Sequence, residues 1–283
     1  MKIEKLTGLG RPLDSKYPTN KAISAIIIIS ILVGMSIEWI SGAAWYSGLF
    51  KGIGVGLSIF FAWAIARELD PDHDYSAFVV VFLSIGGIIL WSQPGFLQLF
   101  WILLASRTVN RTTGLHANVL DSILVTGLNF WLVWEGNWPY GLLTVFVFLL
   151  DAHLFPRLKK QYIFAFLNFL FILVAALVGI YPLNFSLPPK WVILMQVILS
   201  IAFIPVILSS KQMSSKGDKS GIRLSPTRQI ATQLLMVTLG ILLTFSNGAK
   251  GFKDFFVFWA AIGGTALYWY ILKIKFLVIR QEK

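Results

Sequence analysis

AFVVVFLSIGGIILWSQPGFLQLFWILLA, residues 77–105, decides the fold of this chain. As one helix it is a single long membrane span. Interrupted at Ser92-Gln93-Pro94-Gly95, it is two short apolar arms. Proline costs a helix a hydrogen bond and Pro-Gly favours a turn, so the sequence predicts a hairpin. One crossing more or fewer also changes which side every later loop faces. With the interruption and a cytoplasmic N-terminus, only Lys51, Lys190, Lys250 and Lys253 of the 24 Lys and Arg fall outside the cytoplasmic segments. That is the distribution the positive-inside rule describes. Without the interruption the later basic loops turn outward.

The rest of the chain fits this frame. Of 283 residues, 57% are hydrophobic and 13% charged, where a soluble domain carries about 25% charged residues. Apolar runs cover 22–40, 50–66, 77–91, 96–105, 118–134, 140–154, 162–180, 191–208, 230–246 and 255–272. Most are near the ~20 residues that cross a bilayer as a helix, and in lipid the backbone must satisfy its own hydrogen bonds. The expected fold is all-α: a polytopic integral membrane protein of about ten transmembrane helices, with both termini cytoplasmic. Residues 1–21 form a cytoplasmic N-terminal segment and 22–272 a single transmembrane domain. Within that domain, 209–228 reads as a basic, flexible cytoplasmic loop, and 273–283 is a basic tail. The net charge of +11 lies in short loops between spans. The expected partner is therefore the lipid bilayer, in a bacterial-type plasma membrane, and not nucleic acid. There is no cysteine, hence no disulfide or thiolate chemistry.

Two polar stretches interrupt the apolar pattern. The first is Ala66-Arg67-Glu68-Leu69-Asp70-Pro71-Asp72-His73-Asp74-Tyr75, where Pro71 ends the second span. One acid suffices to cap the following helix. The surplus must be balanced by cations, solvent or a metal. Asp70, Asp72 and Asp74 are the candidate metal ligands, with Mg2+ as the ion that holds a phosphate substrate. The second stretch runs from Ser106 to His116. Arg107, Asn110 and Arg111 share a helix face at i, i+3 and i+4, a pattern suited to binding phosphate. The alternative is that they clamp Glu68, Asp70 or Asp72 and close a helical hairpin, or meet lipid headgroups. Arg67, Glu68, Asp121 and Asp151 are the candidates for structural ion pairs. Asn118 is a helix N-cap candidate with Asp121 in the first turn, and Arg107 or Arg111 is the natural partner for Asp121.

The placement of these acids is similar to that in UbiA-type intramembrane prenyltransferases, whose Asp-rich motifs end the second and sixth helices. Here Asp70–Asp74 follow span two and Asp151 ends span six. The resemblance implies Mg2+ and a prenyl diphosphate. The family's Asn-x-x-x-Asp-x-x-x-Asp spacing is absent, and Asp151 stands alone. Ten spans with both ends inside also resemble drug/metabolite transporters. The leading expectation is an enzyme acting on a lipid or isoprenoid phosphate at the cytoplasmic face. A small-molecule transporter and a non-enzymatic membrane scaffold or assembly factor stand as alternatives.

Overall fold

A computed structural model describes residues 7–11, 13–91, 94–179 and 185–281. Among them are ten α-helices in chain order: α1 Pro18–Ile40, α2 Trp45–Leu69, α3 Ser76–Trp91, α4 Phe96–Asn110 and α5 Val119–Trp134, then α6 Trp138–His153, α7 Gln161–Leu177, α8 Lys190–Ser209, α9 Pro226–Asp254 and α10 Phe256–Gln281. Five of these are long and apolar enough to cross a membrane: α1, α2, α8 with its 3-10 extension, α9 and α10. Shorter apolar helices, α3 and α5 to α7, stand beside them. The chain is thus an all-helical membrane protein.

The sequence periodicities explain this architecture. The helices lack a polar face because their outer surface is apolar: Ile28, Leu32 and Ile37 on α1, and Ile163, Phe166, Phe169 and Leu173 on α7, are all exposed. In water such patches would drive association; in lipid they are solvated. The interior is filled with bulky side chains. Trp101, Tyr140, Phe252, Phe255, Phe258 and Trp259 are each 1–2% exposed or less. Trp101 meets Tyr140 edge-on at 5.0 Å, a geometry aromatic quadrupoles favour. Scattered polar pairs tie helices together, such as Asn129 Nδ2, which donates to Asn168 Oδ1 at 2.8 Å between α5 and α7.

Residues 77–105 form two helices, α3 and α4. They do not close on each other as a tight hairpin: α3 packs on α10 and α2, and α4 on α2, α9 and α6. Helix α4 also runs past the apolar run to Asn110, carrying Arg107 into its last turn. Helix α2 is longer than its apolar core, at 25 residues. The basic stretch after 272 continues α10 as far as Gln281. Asn118 caps α5 through a capping box, its Oδ1 accepting from Asp121 N while an Asp121 carboxylate oxygen accepts from Asn118 N.

Side-chain contacts gather one end of α2 and of each helix from α4 to α9 at a single polar end. The end of α2 bonds the ends of α4 and the start of α9. The end of α6 bonds the start of α9. The starts of α5 and α7 meet through Ser122 Oγ and Gln161 Oε1 at 3.0 Å, and the end of α8 meets α9 through Ser210 and Gln233. Successive helices therefore run alternately toward and away from that end.

Candidate functional site

Four carboxylates are buried at the polar end, Glu68, Asp70, Asp121 and Asp151, and all but Asp70 draw donors from distant parts of the chain. Glu68, in the last turn of α2, is fully buried. Its Oε1 accepts from Arg107 Nε at 2.8 Å. Asn110 Nδ2 donates to Oε2 at 3.2 Å, the Thr112 hydroxyl also donates to Oε2, and Arg11 Nη1 stands 3.8 Å from Oε1. An ionised group so placed is tolerable only when its lone pairs are met in this way.

Asp151, at the end of α6, is the second. Its Oδ1 takes Arg111 Nε at 2.9 Å and Arg228 Nη1 at 2.8 Å. Arg228 is 1% exposed and spends its remaining donors on the carbonyls of Val109, Leu154, Phe155 and Pro156. Arg111 reaches Asp151 because it leaves the helix. It adopts left-handed backbone angles, φ 56 and ψ 43, at the C-cap of α4, a conformation that costs a non-glycine residue on the order of 1–3 kcal/mol. The common face expected of Arg107, Asn110 and Arg111 is therefore divided. Arg107 and Asn110 turn to Glu68, and Arg111 turns to Asp151.

Asp121 is the third, and its partners differ from the arginines that the sequence suggests. It accepts from Gly8 N at 2.8 Å, from Asn118 N at 3.0 Å and from the Thr7 hydroxyl. The segment ahead of α1 is consequently part of the site. Leu9 is 1% exposed among Leu104, Val125 and Phe148, and its carbonyl accepts from Arg107 Nη1 at 3.1 Å. Thr113 Oγ1 donates to Gly8 O at 2.7 Å. Gly8 must be glycine, because a Cβ there would run into the His116 carbonyl.

Asp70, Asp72 and Asp74 point to three separate partners. Asp70 faces His73, with Nδ1 2.9 Å from Oδ1. Asp72 accepts from the backbone N–H of Ser214 at 2.9 Å and of Ser215 at 2.8 Å. Asp74 pairs with Arg67 at 3.0 Å. Among the described residues no three His, Cys, Asp or Glu side chains converge as metal ligands, and the three aspartates are held by different partners. Burial pushes the Asp70 carboxyl up against the opposing pull of the His73 bond. The hydrogen bond to Asp70 raises His73 above its ordinary value. Burial, then Lys160 and Arg111, push His116 down.

The bonds of Asp72 also pin the segment that composition marks as a flexible loop. Residues 213–225 fold back on themselves, with Gly217 N donating to Ile222 O at 2.8 Å and Lys219 N to Thr113 O at 3.0 Å. This cover, the N-terminal arm and α2 enclose a pocket of about 550 Å3. Arg11, Arg67, Arg107 and Lys219 line it together with Phe60, Trp63, Leu115 and Thr113, and with Asp14, Asp74 and Asp218. Arg67 lies over the Trp63 ring at 5.6 Å, a cation–π contact.

Thr7 to Arg11, Thr112, Thr113, Asp218, Lys219, Arg228, Gln229 and Gln233 escape a reading by motif. The one signal for them is polarity out of place: Gln229 and Gln233 stand one helical turn apart where an apolar span begins, and both donate to the Leu69 carbonyl at the end of α2.

Comparison with protein-family models, with curated proteins and with solved structures finds no match for the chain. Fold and site define its class as a helical membrane protein with a polar, pocketed end.

Proposed function

We propose that the protein is a ten-span integral membrane protein of a bacterial-type plasma membrane, with both termini and the polar end at the cytoplasmic face, and that it binds a lipid or isoprenoid phosphate there as its substrate. The observation that carries this reading is the pocket: four cationic side chains share its wall with Phe60 and Trp63. Guanidinium groups suit phosphate oxygens, and an aromatic floor suits the start of an acyl or prenyl chain. The alternation of helix ends and the charge distribution support the topology. Tight packing of Trp101, Phe258 and Trp259 in the interior favours a pocket at the end over a transport path through the middle.

Two measurements test it. The chain has no cysteine, so single substitutions report sidedness cleanly. Lys216→Cys should label only from the cytoplasm and Glu135→Cys only from outside; labelling of both from one side refutes the ten-span topology. Native mass spectrometry in mild detergent should show a phosphate lipid or an added isoprenoid phosphate retained by the wild type and lost on Arg11→Ala plus Arg67→Ala. Failure to retain any phosphate-bearing amphiphile refutes the binding assignment.

A further inference from the structure

The pocket's charges are layered. Arg107 and Thr113 at its depth are buried, as is Trp63. Arg11 and Arg67 come next, with side chains 17% and 13% exposed. The acids stand at the rim, where Asp74 is 48% and Asp218 40% exposed, and Asp14 is exposed beside them. Phe60, two turns before Arg67 on the same helix, marks the side toward the apolar part of the bundle. A ligand lying along α2 thus meets an apolar wall, then guanidinium groups, then carboxylates.

The charges also balance. Arg11, Arg67, Arg107 and Lys219 face Asp14, Asp74 and Asp218 on the wall, and Glu68 behind the wall neutralises Arg107. A diphosphate brings several negative charges into a site whose own charges already balance. Enclosing unpaired charge is costly. A molecule that is itself neutral but internally polarised, negative first and positive beyond, fits without surplus. Existing pairs show where its ends go. Arg67 holds Asp74, and Arg11 holds Asp218. A phosphate between the two guanidinium groups substitutes for these carboxylates, and an ammonium beyond it receives them. Arg67 Nε–H is buried without an acceptor, so the guanidinium retains donor capacity that its protein partners do not use.

We propose that this pocket selects a zwitterionic aminophospholipid with a phosphoethanolamine headgroup, its phosphodiester on Arg11 and Arg67, its primary ammonium on Asp14, Asp74 and Asp218, and its acyl chain leaving past Trp63 and Phe60. The proposal rests on the phosphate-lipid reading above and narrows it. A primary ammonium offers three N–H donors to the rim carboxylates, whereas a quaternary one offers none.

The test is native mass spectrometry of the full-length protein in mild detergent, titrated separately with phosphatidylethanolamine, phosphatidylcholine, phosphatidylglycerol and an isoprenoid monophosphate. Phosphatidylethanolamine should bind at least about tenfold more tightly than the other three, the worth of roughly one charge-assisted hydrogen bond. Asp74→Asn with Asp218→Asn should abolish that preference while phosphatidylglycerol still binds. Arg67→Ala should weaken every phospholipid. Tighter binding of phosphatidylglycerol or the isoprenoid phosphate overturns the headgroup assignment and leaves the phosphate pocket standing. An ethanolamine preference unchanged in the double variant overturns the role of the rim. Retention of no phosphate amphiphile at all overturns both readings.

Discussion

The two ends of the helical bundle are made by opposite means. At the polar end Glu68 and Asp151 are fully buried, Glu68 met by Arg107 and Asp151 by Arg111 and Arg228. At the far end Glu135 is exposed in a short turn, its carboxylate accepting from the Trp131 indole, and Glu38 is half-buried and accepts from Ser47. Contact there is made by rings such as Trp91 with Phe256 at 4.5 Å. Lipid supplies little apolar driving force between helices, so order along a bundle depends on packing and on polar contacts. Here the polar contacts are concentrated where the pocket is. A buried ion pair is weak evidence of stability in itself but strong evidence that both members are needed together.

Asp151→Ala puts this contrast to its hardest test, since it leaves Arg228 buried beside Arg111 without a counter-charge. The variant should lose about 3–5 kcal/mol, read as the shift in its unfolding transition in detergent; a loss below about 1 kcal/mol would show that solvent already compensates the pair. Gly8→Ala comes next. Its methyl would collide with the His116 carbonyl and lift the arm from Asp121. A cost of about 1–3 kcal/mol, typical of overpacking, should accompany faster proteolysis at residues 7–17, and an arm as protected as in the wild type would refute the clasp. His73 should have a smaller effect, one that depends on pH. Its folded pKa is raised by Asp70, so the imidazolium stabilises the fold fully below the free value of about 6.5. The contribution disappears as pH rises through the raised folded value. Partial exposure keeps it within about 1 kcal/mol. His73→Gln should flatten stability over that interval, and an unaltered pH profile would remove His73 from the account. Glu135→Gln at the far end should stay within about 0.5 kcal/mol of the wild type; a larger loss there would mean the two ends are not so different.

Much of this was visible in the residues. Apolar runs located the helices, Pro94-Gly95 located the break between α3 and α4, and Asn118 announced the cap of α5. The gathering of acids and arginines on one side followed from counting crossings. The residues offered the arginines as partners for the acids, Arg107 with Glu68 among them, without fixing which pairs with which. Arg111 abandons the helix it ends, and no local pattern requires a left-handed arginine there; the reason is Asp151, forty positions away. Asp121 is answered by Gly8, whose two-glycine segment reads as a tail. Residues 213–225 are rich in Ser, Lys and Gly, the composition of a mobile linker, yet they bond Asp72, Thr112, Thr113 and Arg11 from distant parts of the chain. Such choices are set by the assembled bundle, which local propensity does not encode.

The clasped arm has a consequence for how the protein is made. Thr7 bonds Asp121, 114 positions later, and Arg11 bonds Asp218, 207 positions later. During synthesis the arm emerges first, and its partners Arg107, Thr113 and Asp121 follow only with α4 and the start of α5. Its last latch arrives only with the loop before α9. The arm thus closes in two stages, residues 7–9 once the start of α5 is in place and Arg11 only when Asp218 follows.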